Sequence, residues 1–248
     1  MVAQNKFATT SSMFSIVIPA YNEGKSLPVS LPVVRDYLST HFPVFEIVLV
    51  DDGSTDDTVG IANEFAKSHP EVRVLRLPQN RGKGAAVRAG MLAARGDVIV
   101  FTDADLSTPM EEIDKALGFL NEGADLVIGS RSLPASEIQR HQPVSREVMG
   151  RTFNLLVRGM FGLPFRDTQC GFKCYRRKAA QAIYSQTRID GFAFDVETLV
   201  IARHLGCQVV EMPVHWLDSP QSTVRIPRHV LMMMWELFRI ALREAVGA

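Results

Sequence analysis

Asp103 and Asp105 stand two residues apart, just after an apolar run that closes at Thr102. In extended backbone, side chains at that spacing point to the same side. Both carboxylates can then share one cation, and Mg²⁺ or Mn²⁺ commonly takes one or two protein carboxylates while phosphates and water complete its shell. The spacing suits a metal-bound diphosphate. The plainer alternative makes Asp103 a turn residue and Asp105 the lead into the next helix; repulsion between neighbouring carboxylates that lack a counter-charge favours the metal. Three further polar clusters accompany the pair: Pro19-Ala20-Tyr21-Asn22-Glu23, Asp51-Asp52-Gly53-Ser54 and Asn80-Arg81-Gly82-Lys83-Gly84. Asp-Gly in the second is equally a turn signal, so its two readings stay even. In the third, the glycines let backbone approach a phosphate, with Lys83 as counter-charge. It is neither a P-loop nor a GxGxxG, since Val87 stands where the third glycine belongs, which counts against a P-loop kinase or a nicotinamide dehydrogenase.

The elements that must position these clusters follow a repeating pattern. Short apolar runs at Phe14 to Ile18, Phe45 to Val50, Val72 to Leu77, Asp97 to Thr102 and Asp125 to Gly129 alternate with helix-like stretches. Runs apolar on consecutive residues predict parallel strands covered on both faces and joined by right-handed crossovers, hence an α/β, doubly wound sheet. Ligands of such sheets sit outside the carboxyl ends of the strands, where helix N-termini point. Three of the clusters fall there, and the fourth, Asn80 to Gly84, opens the helix after the third strand. Ser54 with Asp57, and Thr108 with Pro109 and Glu111, read as capping boxes, and Asp56 and Asp57 suit a helix start. Beyond Gly129 the alternation fades: residues 130–190 read as mostly helical, followed by a helix near 196–204, a strand at 208–214, a loop over 219–223 and a last helix from about 227. No linker separates the halves, which predicts one continuous domain over 1–248, with 1–13 expected to be disordered.

Composition narrows the class further. The chain of 248 residues is 46% apolar and 22% charged, as in globular proteins, and its 17 Gly and 13 Pro are too few for a low-complexity chain. Its densest apolar run, Val230 to Trp235, falls far short of the ~18 to 20 residues that span a bilayer. The opening MVAQNKFATTSS lacks the apolar core of a secretory signal, and Cys170, Cys174 and Cys207 form no CxxC pair, so a cytoplasmic protein with reduced, packing cysteines is expected. Net charge is zero, yet residues 131–188 carry eleven basic side chains against three acidic ones. A block of this kind serves as a solvated face or as an anion site. Overall neutrality and the absence of interleaved aromatics argue against nucleic acid. The last helix carries Leu231, Met234, Trp235, Phe238, Leu242 and Val246 at helical spacing; its own sheet, a second subunit and a membrane interface are the three ways to cover that face.

Taken in order, Ile18 to Glu23, Val50 to Ser54, Asn80 to Gly84, Asp103 to Asp105 and Gly129-Ser130-Arg131 resemble the family 2 glycosyltransferases of GT-A fold. Asp167-Thr168-Gln169-Cys170-Gly171-Phe172-Lys173 and Gly191-Phe192-Ala193-Phe194-Asp195-Val196-Glu197 are similar to the dolichyl-phosphate glucose and mannose synthase branch, and the likeness covers roughly residues 14–225. The resemblance implies a Rossmann-like, mostly parallel sheet in which 14–129 bind the nucleotide sugar, 130–226 bind the acceptor and 227–248 form an amphipathic helix. It implies that Pro19, Ala20, Tyr21, Glu23, Val50 and Asp52 hold the nucleoside, that Asp103, Ala104 and Asp105 hold the metal and diphosphate, and that Lys83 lies near the donor. The acceptor of this branch is a polyprenyl phosphate, with Arg131 and Arg146 at positions expected to grip its phosphate. The branch usually shows a Gly-Ser-Lys loop where this chain has Pro220-Gln221-Ser222-Thr223, so Thr223 replaces the usual lysine; Ser222 remains, and either Arg225 takes the lysine's place or the acceptor is held differently. The expected reaction is a metal-dependent, inverting hexose transfer, with UDP-glucose favoured over GDP-mannose, by an enzyme peripheral on the cytoplasmic face of a membrane. A phosphate monoester, with a second pKa of about 6, needs no base. Asp195 and Glu197 would matter only for the alternative, a hydroxyl acceptor. A non-catalytic nucleotide-sugar sensor is the third reading, and monomer and oligomer both remain open.

Overall fold

The computed structural model describes residues 12–138, 144–217 and 226–246. The first half runs β1 (Phe14–Ala20), α1 (Leu27–His41), β2 (Phe45–Asp51), α2 (Thr58–Ser68), β3 (Val72–Arg76), α3 (Lys83–Ala93), β4 (Val98–Thr102), α4 (Glu112–Asn121) and β5 (Leu126–Ser130). The second half adds β6 (Glu137–Ile138), α5 (Val144–Phe161), β7 (Phe172–Arg176), α6 (Arg177–Tyr184), α7 (Phe194–His204), β8 (Val209–Pro213), β9 (His215–Trp216) and α8 (Ile226–Val246). Seven strands form one sheet in the order β3-β2-β1-β4-β7-β5-β8, and β6 pairs with β9 in a small ribbon.

The sheet is parallel except at β7, which runs antiparallel between β4 and β5. Alternation along each strand feeds two cores. Ile16, Ile18 and Leu49 face Leu31, Val34 and Ala62 of α1 and α2 together with Ile113 and Leu117 of α4. On the other face Val17, Val48, Phe101 and Tyr175 pack with Val87, Ile183, Leu199 and Leu237 from α3, α6, α7 and α8. Covering both faces explains why these strands are apolar at successive positions.

Three expectations are corrected. The segment 130–190, expected to be mostly helical, also holds strands: β7 enters the middle of the sheet, so the second half completes the sheet as well as lying against it. Ser54 does not cap α2, because its hydroxyl accepts the Asn22 N–H, and Asp56 instead accepts the N–H of Thr58 at the helix start. Thr108 and Glu111 form no capping box either, since α4 starts only at Glu112, after a turn bonded from Pro109 to Glu112.

Candidate active site

Each predicted cluster lies just beyond the carboxyl end of a strand. After β1, Asn22 takes a left-handed φ of 57°, a conformation Asn tolerates better than most residues. This turn is tied to the loop after β2: Asn22 N–H donates to Ser54 at 2.9 Å, Glu23 N–H to Thr58 at 2.8 Å and Gly24 N–H to Asp56 at 3.0 Å. Tyr21 is left on the surface, and Glu23 turns inward, accepting from the Ser26 hydroxyl at 2.6 Å. Burial raises the Glu23 carboxyl above its ordinary range, and Asp105 and Asp103 raise it further. The opening loop and the aspartate pair therefore belong to one electrostatic cluster. Pro19, Ala20 and Val50 are buried beneath it in the closing residues of β1 and β2.

Asp51 closes the turn after β2 by accepting Ser54 N–H at 3.1 Å. Asp52, 2% exposed, accepts the N–H of Arg81 and of Gly82, both at 2.8 Å. Burial raises its carboxyl and these two bonds offset part of that rise. Asp52 thus shapes the 80–84 loop. Gly82 sits at φ 114°, and a Cβ there would lie 2.5 Å from the Asp190 carbonyl, so no other residue fits. Lys83, the first residue of α3, extends over the Phe101 ring to place Nζ 2.6 Å from Asp103 Oδ1.

Residues 103–106 form a turn, closed by Leu106 N–H on the Asp103 carbonyl at 3.1 Å, where extended backbone was expected. Ser107 N–H donates to the Asp105 carboxylate at 3.0 Å. The two acids are nevertheless neighbours: burial raises the Asp105 carboxyl and the charge of Asp103 raises it again, against the pull of Lys83. Ala104 is buried between them. Gly171 leaves room for Asp103, since any Cβ there would collide with its carboxylate.

The second half brings Arg131 and Asp195 to the same rim. Arg131 forks onto Asp167, with Nε at 2.7 Å and Nη2 at 3.0 Å, and lies over the Trp216 ring. Asp195 is buried, 2.5 Å from the Nζ of Lys173, a fully buried lysine in β7 that also donates to the Cys170 carbonyl. Glu197 accepts the N–H of Arg188 and Ile189, which makes it a structural anchor. The Arg146 backbone lies in α5, whereas Ser222 and Arg225 fall outside the described residues. From sequence, Lys173 figures only as the end of a family motif and within the basic block, with no role of its own, and Asp190 not at all. A lysine inside an otherwise apolar strand is a signal for the first; nothing local marks the second.

Among the described residues no three His, Cys, Asp or Glu converge on one point. Asp103 and Asp105 offer hard oxygen donors from one side only, beside a lysine. That donor set fits a Mg²⁺ or Mn²⁺ ion whose remaining ligands come from phosphate and water.

The Glycosyl transferase family 2 model matches residues 15–184. This chain belongs to glycosyl transferase family 2. A dolichyl-phosphate beta-glucosyltransferase of Trichomonas vaginalis is 36% identical over 97% of this family 2 chain and 74% of its own length. The dolichyl-phosphate beta-glucosyltransferase of Drosophila melanogaster is 37% identical over 94% and 76%. Glucosyl-3-phosphoglycerate synthase of Mycobacterium tuberculosis, solved with Mn²⁺, UDP-glucose and phosphoglyceric acid, shares the fold at a TM-score of 0.69 and 20% identity, over 97% of this chain and 84% of that one. The family 2 protein is a glycosyltransferase of GT-A fold, as its sequence motifs imply.

Proposed function

We propose that this glycosyltransferase moves glucose from UDP-glucose to a polyprenyl phosphate, with inversion at the anomeric carbon. The carrying observation is the meeting of Asp103, Asp105, Lys83 and Glu23 at one rim of the sheet. Relatives named for glucosyl transfer to dolichyl phosphate support the choice of sugar and acceptor.

In this reading Tyr21 and Glu23 flank the nucleoside, while the 80–84 loop, shaped by Asp52, brings backbone and Lys83 to the diphosphate. Asp103 and Asp105 would hold Mg²⁺ or Mn²⁺, which supplies Lewis-acid stabilisation of the departing diphosphate. An oxygen of the acceptor phosphate forms the new bond to the anomeric carbon as the bond to the nucleotide breaks, its electron pair leaving on the diphosphate. Arg131, held in orientation by Asp167, keeps Nη1 for the acceptor phosphate, with Arg146, Ser222 and Arg225 as further contacts. Arginine suits phosphate oxygens because its donors are fixed in one plane. A dianionic phosphate needs orienting rather than deprotonating. The engagement of Asp195 by Lys173 supports this acceptor over a hydroxyl, which would require a carboxylate free to take its proton.

Access to a lipid acceptor fits the two outer helices. Among the described residues no helix is long and apolar enough to cross a membrane. Yet α8 exposes Leu231, Met232, Met234, Trp235, Phe238 and Leu242, and neighbouring α5 exposes Leu155 and Met160. Such a surface suits the headgroup boundary of a bilayer, on the cytoplasmic face in this reading.

The test incubates the protein with UDP-[¹⁴C]glucose, Mn²⁺ and polyprenyl phosphate and extracts the lipid. Label in the organic phase, absent with GDP-mannose and after adding EDTA, is the expected result. Transfer only to soluble hydroxyl compounds, or no transfer from any donor, defeats the reading.

A further inference from the structure

Glu236 sits on α8, yet its side chain turns inward and the residue is 8% exposed. The carboxylate accepts the N–H of Ala193 at 3.0 Å and also that of Gly191. A Cβ on Gly191 would meet this carboxylate, so the 189–193 loop and the acid are in direct contact. Burying a carboxylate is costly unless hydrogen bonds replace its water, and here backbone donors do so.

The 189–193 loop in turn grips the loop that carries Lys83. The Asp190 carboxylate pairs with Arg81 at 2.8 Å and with Arg88 at 2.5 Å, and its carbonyl accepts Ala85 N–H at 3.2 Å. Gly82 and Gly84 both pack where a Cβ would strike this segment: against the Asp190 carbonyl at 2.5 Å and the Ile189 carbonyl at 2.6 Å. Lys83 lies between those two glycines. A chain of direct contacts therefore runs from Glu236 through 189–193 to the lysine beside Asp103.

We infer that Glu236 is a positioning residue for donor binding, which from the C-terminal helix fixes the 189–193 loop and through it the seat of Lys83. The inference rests on the 80–84 loop contacting the donor diphosphate. Glu236→Gln keeps the shape of the side chain but removes its charge and turns one of its two acceptor oxygens into an N–H donor facing two N–H donors.

The experiment measures UDP affinity by calorimetry with Mn²⁺, steady-state KM for UDP-glucose and for polyprenyl phosphate, and Tm, in wild type, Glu236→Gln and Leu237→Ala. Leu237 is the buried neighbour that shares a core cluster with Ile189 and Ala193, so its truncation reports what loosened packing alone does while the Glu236 hydrogen bonds are kept. Glu236→Gln should raise the UDP Kd and the donor KM roughly tenfold, the equivalent of one charge-assisted hydrogen bond, with the acceptor KM unchanged. Leu237→Ala should lower Tm at least as much and raise the UDP Kd far less than Glu236→Gln does. A Glu236→Gln protein that binds UDP as tightly as wild type, or weakens only as Leu237→Ala does, overturns the positioning role while the donor reading stands. Wild-type protein that binds no UDP removes the donor reading and this inference together.

Discussion

The Lys83 ammonium stands 2.6 Å from Asp103 Oδ1, so the acid pair carries its own counter-charge. Both side chains are part-exposed, at 25% and 31%, and a second charge, on Asp105, adds to the field on Asp103. Without a bound cation, Lys83→Met leaves two adjacent carboxylates unneutralised. The loss should lie between the ~1 kcal/mol ceiling of an exposed pair and the ~3–5 kcal/mol of a buried one. Thermal melts should show a lower Tm for the variant in EDTA and a larger rise on adding Mn²⁺ than wild type shows. An equal rise in both proteins would mean that Lys83 does not neutralise the pair.

Asp105→Asn tests the acids themselves. Burial and the neighbouring Asp103 raise this carboxyl, so its charged form is strained in the absence of a cation. The amide removes that repulsion and one oxygen ligand together. Turnover should fall by roughly 10²-fold or more, since stabilisation of departing charge by a metal is worth several kcal/mol. The EDTA Tm should hold or rise. A fall in Tm matching the loss of activity would instead mark Asp105 as a structural residue.

The sheet and the rim clusters were legible because a strand covered on both faces must be apolar at successive positions. β7 was hidden by Lys173, whose charge breaks the apolar run Phe172-Lys173-Cys174-Tyr175. What neutralises that charge is Asp195, 22 residues further along the chain, and no local pattern announces such a pairing. The capping boxes failed for a related reason. Ser54 had the right spacing to Asp57, but the amide of Asn22, 32 residues earlier, claims its hydroxyl, so a tertiary bond overrides a local one. Asp52 stood out in the sequence, although its hold on the Arg81 and Gly82 amides appears only once β2 and β3 are paired.

Acid stability should depend on Asp167. The Arg131 guanidinium, working against burial, holds this carboxyl below its ordinary value of 3.8. The unfolded chain therefore binds the proton more readily than the folded one, and the pair's contribution is complete above that value and lost as pH falls below it. Asp167→Asn should lower stability at pH 7, near the lower end of the ~3–5 kcal/mol typical of a broken buried pair because Arg131 keeps 30% exposure. Urea unfolding of the two proteins should converge as pH drops below 4, since only wild type has a carboxyl at position 167 to titrate and the other acids are common to both. Parallel pH profiles would show that Arg131 does not depress the Asp167 carboxyl.

The outer face of α8 offers an optical reading of membrane contact. The chain has two tryptophans, Trp216 buried at 8% exposure beneath Arg131 and Trp235 at 61% stacked on Phe238. Only the second can change its surroundings when a bilayer approaches, so a Trp216→Phe protein isolates its signal. Phospholipid vesicles should shift its emission to the blue. Burying a large apolar side chain is worth about 1.5–3 kcal/mol, and about 1.4 kcal/mol is a factor of ten. Trp235→Ala with Phe238→Ala should therefore weaken vesicle partition, measured by sedimentation, by well over tenfold. Both side chains are exposed on α8, whereas Glu236 and Leu237 make its inward contacts, so UDP affinity should be unchanged while transfer to vesicle-borne polyprenyl phosphate falls. If emission stays constant at saturating lipid, or the double variant sediments with vesicles like wild type, α8 is not the membrane-facing surface and its apolar side chains need another partner.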